Sequence, residues 1–144
     1  MCFKVKMRRP PFLRVLTLAI LINEERLHGY SIYKRILYHT HMKWKPSIGT
    51  IYRTLNEMVQ EGLVTKRSEK RRYSYAITRK GVEYFIENSR ALMTKMAGVL
   101  ATMIEAYLKM IADRPDILTK SIGERLRNLR DVLQKCEFLN SIKP

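Results

Sequence analysis

Three stretches of helically spaced apolar residues, followed by two β-rich runs, dominate the first half of the sequence. The first stretch covers residues 12–22 and follows Pro10 and Pro11, a residue type that suits the first turn of a helix. Residues 23–28 have the composition of a polar connector, and Gly29 opens a second, shorter helix. Residues 39–46 then indicate a loop that ends in proline.

The third helix has the clearest boundaries. Ser47 is a good N-cap, the helix runs to about Glu61, and Gly62 provides a C-terminal stop. Residues 63–67 and 73–77 are rich in β-forming residues and flank a polar tip, which predicts a β-hairpin with its tip at residues 68–72. Three short helices and then a two-stranded wing are the layout of a winged helix-turn-helix. The sequence therefore predicts a mainly α (α+β) fold, with a winged helix-turn-helix DNA-binding domain in residues 1–80.

The second half of the chain, residues 81–144, indicates two further helices. Thr78 caps the first, which we expect to continue to about residue 112, where Asp113-Arg114-Pro115 breaks it. The second covers about residues 117–139. Apolar residues recur along both helices at steps of three and four, as in a coiled-coil seam: Phe85, Leu92, Met96, Val99, Met103, Met110, Leu126, Leu129 and Leu133. Because folding one helix on the other would cover only one stripe, we predict that residues 81–144 form a C-terminal helical dimerisation region.

Positive charge is concentrated in the first half. The 144 residues carry a net charge of +15 at pH 7. Residues 1–80 contain 18 Lys and Arg against 5 Asp and Glu, whereas residues 81–144 contain 10 against 8. A surface this basic attracts polyanions such as nucleic acid. Since charge that serves only solubility need not stop at one point, the asymmetry favours a nucleic-acid partner for residues 1–80.

A helix-turn-helix places the start of its last helix in the major groove, and this predicts which side chains face DNA. Arg53 can pair with guanine through two hydrogen bonds, while Ser47 and Thr50 are short enough for a close approach. The cations of the hairpin suit phosphate contacts. The predicted DNA-binding residues are Lys43, Lys45, Ser47, Thr50, Arg53, Thr54, Lys66, Arg67, Lys70, Arg71 and Arg72. The alternatives are a solvated helix face and a hairpin edge that is charged against aggregation.

Tyr73 and Tyr75 alternate on the second hairpin strand, so they share one face. Two roles are open for this pair. The rings can stack on unpaired bases, or they can pack the hairpin onto the core, which is the role we expect.

Little in the sequence indicates catalysis, and we expect a protein that is not an enzyme and has no metal or cofactor. His39 and His41 lack carboxylate or cysteine neighbours at metal-ligand spacing, and nucleophile motifs and Gly-rich phosphate loops are absent. Cys2 and Cys136 indicate free thiols in a reducing interior. The basic residues before the run at 12–22 imitate a signal peptide, but Arg14 interrupts the run. We therefore expect a cytoplasmic (nucleoid-associated) protein without a membrane partner.

Several motifs resemble those of the PadR family of transcriptional regulators. They are His28-Gly29-Tyr30-Ser31-Ile32, Gly49-Thr50-Ile51-Tyr52, Leu55, Glu61-Gly62-Leu63-Val64, Arg72-Tyr73, and Ile77-Thr78 with Gly81. The resemblance covers roughly residues 12–86 and implies a winged-helix domain, a helical dimerisation region and binding to palindromic operator DNA, often as a repressor. It also implies that Thr50 and Tyr52 belong to the DNA-facing motif. Arg53 stands where proline is common in the family, so it is a candidate for a base contact particular to this chain.

The sequence thus predicts a sequence-specific, DNA-binding transcriptional regulator that acts as a repressor. Its predicted partners are a palindromic operator in double-stranded DNA and a second copy of itself, and any small-molecule effector is unknown. Two other functions stay open. One is a sequence-indifferent nucleic-acid binder of the chromatin type, and the other is an adaptor that uses the winged helix to hold a partner chain.

Overall fold

A computed structural model describes residues 12–41, 46–136 and 141–142 of the chain. Its main elements are α1 (Phe12–Glu24), β1 (Arg26–His28), α2 (Gly29–His39), α3 (Ile48–Gln60), β2 (Val64–Glu69), β3 (Arg72–Ile77), α4 (Arg79–Met110) and α5 (Lys120–Gln134). They belong to two compact units, Met1–Thr94 and Lys95–Pro144, called here the N-terminal unit and the C-terminal unit. The N-terminal unit is a winged helix-turn-helix in which α2 and α3 form the helix-turn-helix and β2 and β3 form the wing. The predicted fold class is therefore confirmed.

The helix boundaries follow local capping signals. Ser47 Oγ accepts a hydrogen bond from the Thr50 backbone N–H at 3.1 Å and caps α3. Thr78 Oγ1 accepts one from the Gly81 backbone N–H at 3.0 Å and caps α4. Gly62 follows α3 with a φ of +76°, a left-handed conformation that glycine adopts without steric cost. These contacts confirm the predicted starts of α3 and α4.

The core of the N-terminal unit joins the three short helices to the sheet. Its buried apolar residues are Leu18, Ile20, Leu21, Ile32, Ile36, Ile51, Leu55, Met58, Leu63, Val64 and Tyr75. Gly81, in the first turn of α4, has no room for a side chain. A Cβ at this position would overlap the carbonyl oxygen of Leu63 and lie 2.7 Å from Ile77 Cγ1. The start of α4 docks closely because residue 81 has no side chain.

The sheet contains a third strand that the sequence pattern does not indicate. Residues 26–28, expected to lie in the polar connector, form β1, which pairs antiparallel with β3 through Leu27 opposite Tyr75. The strand order is β1-β3-β2. A strand of three residues is too short to show the alternation by which longer strands are recognised.

The hairpin tip and the last helix are both shorter than expected. β2 and β3 stay paired as far as Glu69 opposite Arg72, so the tip is the two residues between them and not residues 68–72. A 3-10 turn occupies Pro115–Ile117, and α5 starts only at Lys120. The reason is that Thr119 Oγ1 accepts a hydrogen bond from the Ile122 backbone N–H at 3.3 Å and sets a later start.

The C-terminal unit has a different character. None of its described residues is buried. An open, mainly apolar cleft of about 560 Å³ lies between Ile104 of α4 and Leu126, Leu129 and Leu133 of α5. Helix α4 contains an 18-residue window with a mean hydropathy of 1.2, none of it buried, so by length and composition this helix could cross a membrane. Such an exposed apolar helix needs another surface to cover it.

Candidate nucleic-acid interface

The start of α3 presents the polar side chains that the sequence predicts to face DNA. Ser47 and Arg53 are exposed, and Thr50 and Thr54 are half-buried. The hydroxyl oxygens of Ser47 and Thr50 lie 2.9 Å apart, so these two short side chains are held together at the first turn. The arrangement leaves room for a close approach to the helix start, with Arg53 on the following turn.

Arg53 differs in its contacts from the acidic residues near the end of the same helix. It has no hydrogen-bond or ion-pair partner among the described residues, whereas Glu57 and Glu61 both bind Arg14 of α1. Arg14 Nη2 lies 3.3 Å from Glu57 Oε2 and 3.0 Å from Glu61 Oε1. The hydrogen bond to Glu61 raises the pKa of Arg14 above its ordinary value, so this guanidinium stays charged. The two carboxylates are thus paired with α1, while the arginine near the start of α3 stays available.

The wing carries most of the positive charge of the candidate site. Its cations are all exposed: Lys66, Arg67, Lys70, Arg71 and Arg72. Glu69 is the single acidic residue of the hairpin, and it lies 3.8 Å from Arg67 Nε. Its carboxylate also accepts a hydrogen bond from Ser74 Oγ at 3.2 Å and lies 3.9 Å from His28 Nε2. One carboxylate that is already shared cannot neutralise the hairpin, so the wing keeps a net positive charge.

The two wing tyrosines have different environments. Tyr75 is 1% exposed, and burial raises the pKa of its hydroxyl, whereas Tyr73 is 52% exposed. The expectation that this pair packs the hairpin onto the core is therefore right for Tyr75 and wrong for Tyr73. Tyr75 lies opposite Leu27 in the middle of the sheet, but β1 ends before it reaches Tyr73. The ring of Tyr73 instead lies under the ammonium group of Lys66, with Nζ 4.1 Å from the ring centroid.

Helix α3, the wing and the start of α2 border one cleft of about 330 Å³. The wing contributes Arg71, Arg72 and Tyr73, α3 contributes Tyr52, and residues 28–31 complete the lining. The cleft thus brings together predicted DNA-binding residues from two separate elements. The sequence interpretation did not assign the start of α2 to this site. The signal was nevertheless present, because residues 28–31 belong to the first of the family motifs.

Tyr30 and Tyr52 are more exposed to solvent than helical periodicity indicates. Helical spacing groups Tyr30 with Tyr33 and Ile36, and Tyr52 with Ile51 and Leu55, on apolar faces, but Tyr30 is 56% exposed and Tyr52 is 37% exposed. The ring of Tyr52 packs over Gly29, where a Cβ would lie 2.6 Å from Tyr52 Cε1. Tyr52 is therefore a surface residue of the cleft, in agreement with its place in the DNA-facing motif.

Lys43 and Lys45 lie outside the described residues. Within the described part of the chain, no cluster of three or more His, Cys, Asp or Glu side chains could hold a metal ion.

The predicted seam residues lie on a largely exposed surface. Met96, Val99, Met103, Met110 and Leu133 are each about half exposed. Phe85, Leu92, Leu126 and Leu129 are half-buried, and Phe85 packs against the core of the N-terminal unit.

Comparisons with known proteins agree with this architecture. Residues 17–87 match the model of the PadR-like family of transcriptional regulators. A transcriptional regulator from Clostridium thermocellum gives a TM-score of 0.54 at 23% identity, covering 62% of this chain and 88% of its own. A chain from Thermoplasma acidophilum gives a TM-score of 0.52 at 24% identity, and the match covers 69% of this chain and 97% of that chain. RosR of H. salinarum gives a TM-score of 0.50 at 24% identity, and the match covers 77% of this chain and 98% of that chain. No curated protein sequence matches the chain.

The solved structures are under 25% identical to this chain, so their likeness shows the fold. The family match shows which family the chain belongs to, because the matched residues include α2, α3, the whole wing and the start of α4. Proteins of this family and fold regulate transcription and are generally not enzymes. The chain belongs to the PadR-like family of transcriptional regulators and has their winged-helix DNA-binding fold.

Proposed function

We propose that this regulator represses transcription by binding, as a homodimer, to a palindromic operator in double-stranded DNA. The observation that carries the proposal is a cleft that both α3 and the wing border, whose described lining residues include two arginines and no acid. A duplex is complementary to this surface, because it offers base edges to the start of α3 and phosphates to the wing.

In this proposal Arg53 reads the operator. Its exposed guanidinium, free of partners among the described residues, can donate two hydrogen bonds to guanine in the major groove. Ser47 and Thr50 allow the helix to approach, and Thr54 lies one turn further on. The binding of Glu57 and Glu61 to Arg14 supports this role, because it pairs both acids with a cation of α1.

The wing supplies affinity that does not depend on sequence. Lys66, Lys70, Arg71 and Arg72 are exposed cations, and Arg67 shares Glu69 with two other residues. Contacts between such cations and phosphates release counterions, so binding weakens as salt concentration rises. Clustered cations repel one another in the free protein, and a polyanion relieves this repulsion.

Helices α4 and α5 form the dimer interface in this proposal. The seam residues expose a methionine-rich surface, and a second copy would cover it by helix packing. Two-fold symmetry would place the α3 helices of both copies in successive major grooves, roughly 34 Å apart. Repression then follows from occupying a promoter, without any chemical step. A cytoplasmic location next to the nucleoid fits this role.

The proposal is tested by competition between genomic fragments for the purified full-length protein, followed by a salt titration on the preferred fragment. We expect one preferred fragment with an inverted repeat, and an affinity that falls on the order of a thousandfold or more between 50 and 200 mM salt. Equal binding to all fragments would contradict sequence-specific recognition, and an affinity that does not change with salt would contradict phosphate contacts by the wing.

A second function, sequence-indifferent binding to nucleic acid, is favoured by the excess of cations on the wing over base-reading side chains on α3. It predicts strong salt dependence with no preferred fragment, so the same competition separates the two. An adaptor that holds a partner chain predicts instead no retention on DNA at physiological salt and recovery of an acidic partner protein.

A further inference from the structure

A cleft of about 330 Å³, partly open to solvent, lies between three elements of the N-terminal unit. It is bordered by the start of α2 on one side, by Tyr52 of α3 on the second and by Arg71, Arg72 and Tyr73 of the wing on the third. Its volume falls in the range of small-ligand sites, and it exceeds the space needed by a single phosphate ion. Tyrosine rings and arginines therefore border a space in which a phosphate group can lie.

The position of Tyr52 depends on the residue at position 29. A Cβ built on Gly29 would lie 2.6 Å from Cε1 of Tyr52, 3.0 Å from Cζ and 3.1 Å from the hydroxyl oxygen. The edge of the ring that carries the hydroxyl therefore rests directly on the backbone of residue 29. This contact holds the Tyr52 hydroxyl at the first turn of α2, and any side chain larger than hydrogen at residue 29 would displace it.

The lining offers hydrogen-bond donors in excess of acceptors. Arg71 and Arg72 contribute guanidinium groups, and Ser31, Tyr52 and Tyr73 contribute hydroxyls. Among the described residues, the side chain of His28 makes no capping hydrogen bond to the first turn of helix α2. None of the described residues that line the cleft carries a carboxylate. This chemistry matches an oxyanion that accepts several hydrogen bonds at once.

The neighbouring acidic and basic groups leave the cleft electropositive. Glu69, the single acid of the wing, is not a lining residue, and it contacts Arg67, Ser74 and His28, of which only His28 borders the cleft. Nδ1 of His28 is buried and has no hydrogen-bond partner in the described part of the chain. Arg71 and Arg72 form no ion pair with an acid among the described residues, so both are available to a ligand.

We infer that this cleft binds one phosphate ester, held between the Tyr52 hydroxyl and the start of α2 on one side and Arg71 and Arg72 on the other. The phosphate can come from the backbone of a duplex, in which case the inference rests on the proposed function, or from a free nucleotide. In both cases Tyr52 and Arg72 contact the same phosphate although they belong to α3 and to the wing. Gly29 acts as a positioning residue because it lets the Tyr52 ring reach its place.

The shared phosphate is tested by a double-mutant cycle on the full-length protein. Tyr52→Phe removes only the hydroxyl and should weaken duplex binding about tenfold, the effect of one hydrogen bond to a charged group, without changing the salt slope. Arg72→Gln should weaken binding and reduce the salt slope by about one. Because both groups act on one phosphate, the double variant should lose clearly less than the product of the two single effects.

Two further variants control the cycle. Arg90→Gln removes one exposed cation from α4, away from the cleft, and should leave the affinity and the salt slope unchanged. Gly29→Ala should weaken binding in the wild-type background but have little further effect when Tyr52→Phe is present, since the hydroxyl it displaces is already gone. All variants are compared by their midpoints of thermal unfolding, and the Tyr52→Phe and Arg72→Gln comparison stays informative if Gly29→Ala is unstable.

A second arm separates the two sources of the phosphate. The wild-type protein is titrated with deoxyadenosine monophosphate and with inorganic phosphate, with binding followed by isothermal titration calorimetry. Binding of the nucleotide that is lost in Tyr52→Phe and in Arg72→Gln identifies a free nucleotide as a ligand. Non-additive loss on the duplex with no nucleotide binding identifies the backbone phosphate.

The inference and the proposed function fail in different ways. If the wild-type protein binds no duplex, the proposed function fails, and the nucleotide titration alone determines whether the cleft binds a phosphate ester. If it binds a duplex but the effects of Tyr52→Phe and Arg72→Gln multiply as independent changes, and no nucleotide binds, the shared phosphate site is overturned while DNA binding stands.

Discussion

The N-terminal and C-terminal units use their apolar residues in opposite ways. The N-terminal unit buries a continuous apolar cluster between α1, α2, α3 and the sheet, and its surface is strongly basic. The C-terminal unit has no buried residue among those described, and its charges are nearly balanced. The N-terminal unit thus buries its apolar core but carries a large excess of positive charge. The C-terminal unit carries little net charge but leaves its apolar residues exposed.

This difference indicates two kinds of partner. An electropositive surface on a packed domain is matched by a polyanion, and the energy of that contact depends on salt. An exposed apolar helix is matched by another apolar surface, and the energy of that contact depends on the area removed from water. Changes in one unit should therefore affect one of these two properties and leave the other in place.

We expect the largest effect from placing charged residues in the apolar seam of α4. Met96→Glu together with Met103→Glu places four carboxylates in the interface of the proposed dimer, where burial of unpaired charge is costly. The variant should be a monomer and should bind the operator at least about a hundredfold more weakly, since the second half-site is lost. Sedimentation equilibrium and fluorescence anisotropy measure the two outcomes.

Thr102→Glu is the matched control, because it adds a charge to an exposed position of α4 outside the seam. It should leave the dimer intact. A double variant that is still dimeric would contradict the seam. A wild-type chain that is monomeric and partitions into lipid vesicles would assign the apolar surface of α4 to a membrane instead.

The second effect tests whether the N-terminal unit is packed as closely as the glycine contacts indicate. Gly81→Ala inserts a methyl group against the carbonyl of Leu63 and the side chain of Ile77, and it should destabilise the fold by about 1–3 kcal/mol. Gly98→Ala is the control in the C-terminal unit, where a Cβ meets no atom within 4 Å. It should stabilise α4 by roughly 0.5–1 kcal/mol. Urea denaturation measures both, and equal effects of the same sign would contradict the contrast between the units.

The third effect separates base reading from phosphate contact within the N-terminal unit. Arg53→Ala should cost about 1–3 kcal/mol on the preferred fragment, a loss of about fivefold to 150-fold in affinity, and much less on unrelated duplexes. The reason is that the guanidinium contacts a base edge only where guanine is present. Anisotropy titrations with both duplexes measure the ratio, and a loss of equal size on both would remove Arg53 as the base-reading residue.

The smallest effect is expected from a single wing cation. Arg71→Ala should weaken binding to every duplex by a similar factor and reduce the salt slope by about one, because one phosphate contact is lost. The comparison with Arg53→Ala is informative, since both variants remove one arginine. A change of sequence preference in Arg71→Ala would contradict the assignment of the wing to phosphates.

The parts of the structure that depend on local signals could be predicted from the sequence. Ser47, Thr78 and Gly62 act within one helical turn of themselves, and the caps and the end of α3 lie where they indicate. The positive charge of the wing also follows directly from residues that are neighbours in the chain. Neither feature requires knowledge of how distant segments pack.

The parts that depend on long-range packing could not be predicted in the same way. Strand β1 exists because β3 offers it a free edge, and three residues carry no alternation of their own. Tyr73 and Tyr75 share a strand face, but only Tyr75 lies opposite β1, so only Tyr75 is buried. The cleft at Tyr52 requires three segments to meet, and the contact of Tyr52 with Gly29 joins residues that no local pattern connects.

The most direct test of the account is the mass of the complex in sedimentation equilibrium at low ionic strength. The full-length protein is mixed with a labelled duplex taken from the region upstream of its own coding sequence. We predict a species of two chains on one duplex, and a free protein that is itself a dimer. A free protein with the mass of one chain, together with a duplex that sediments unbound, would contradict the account.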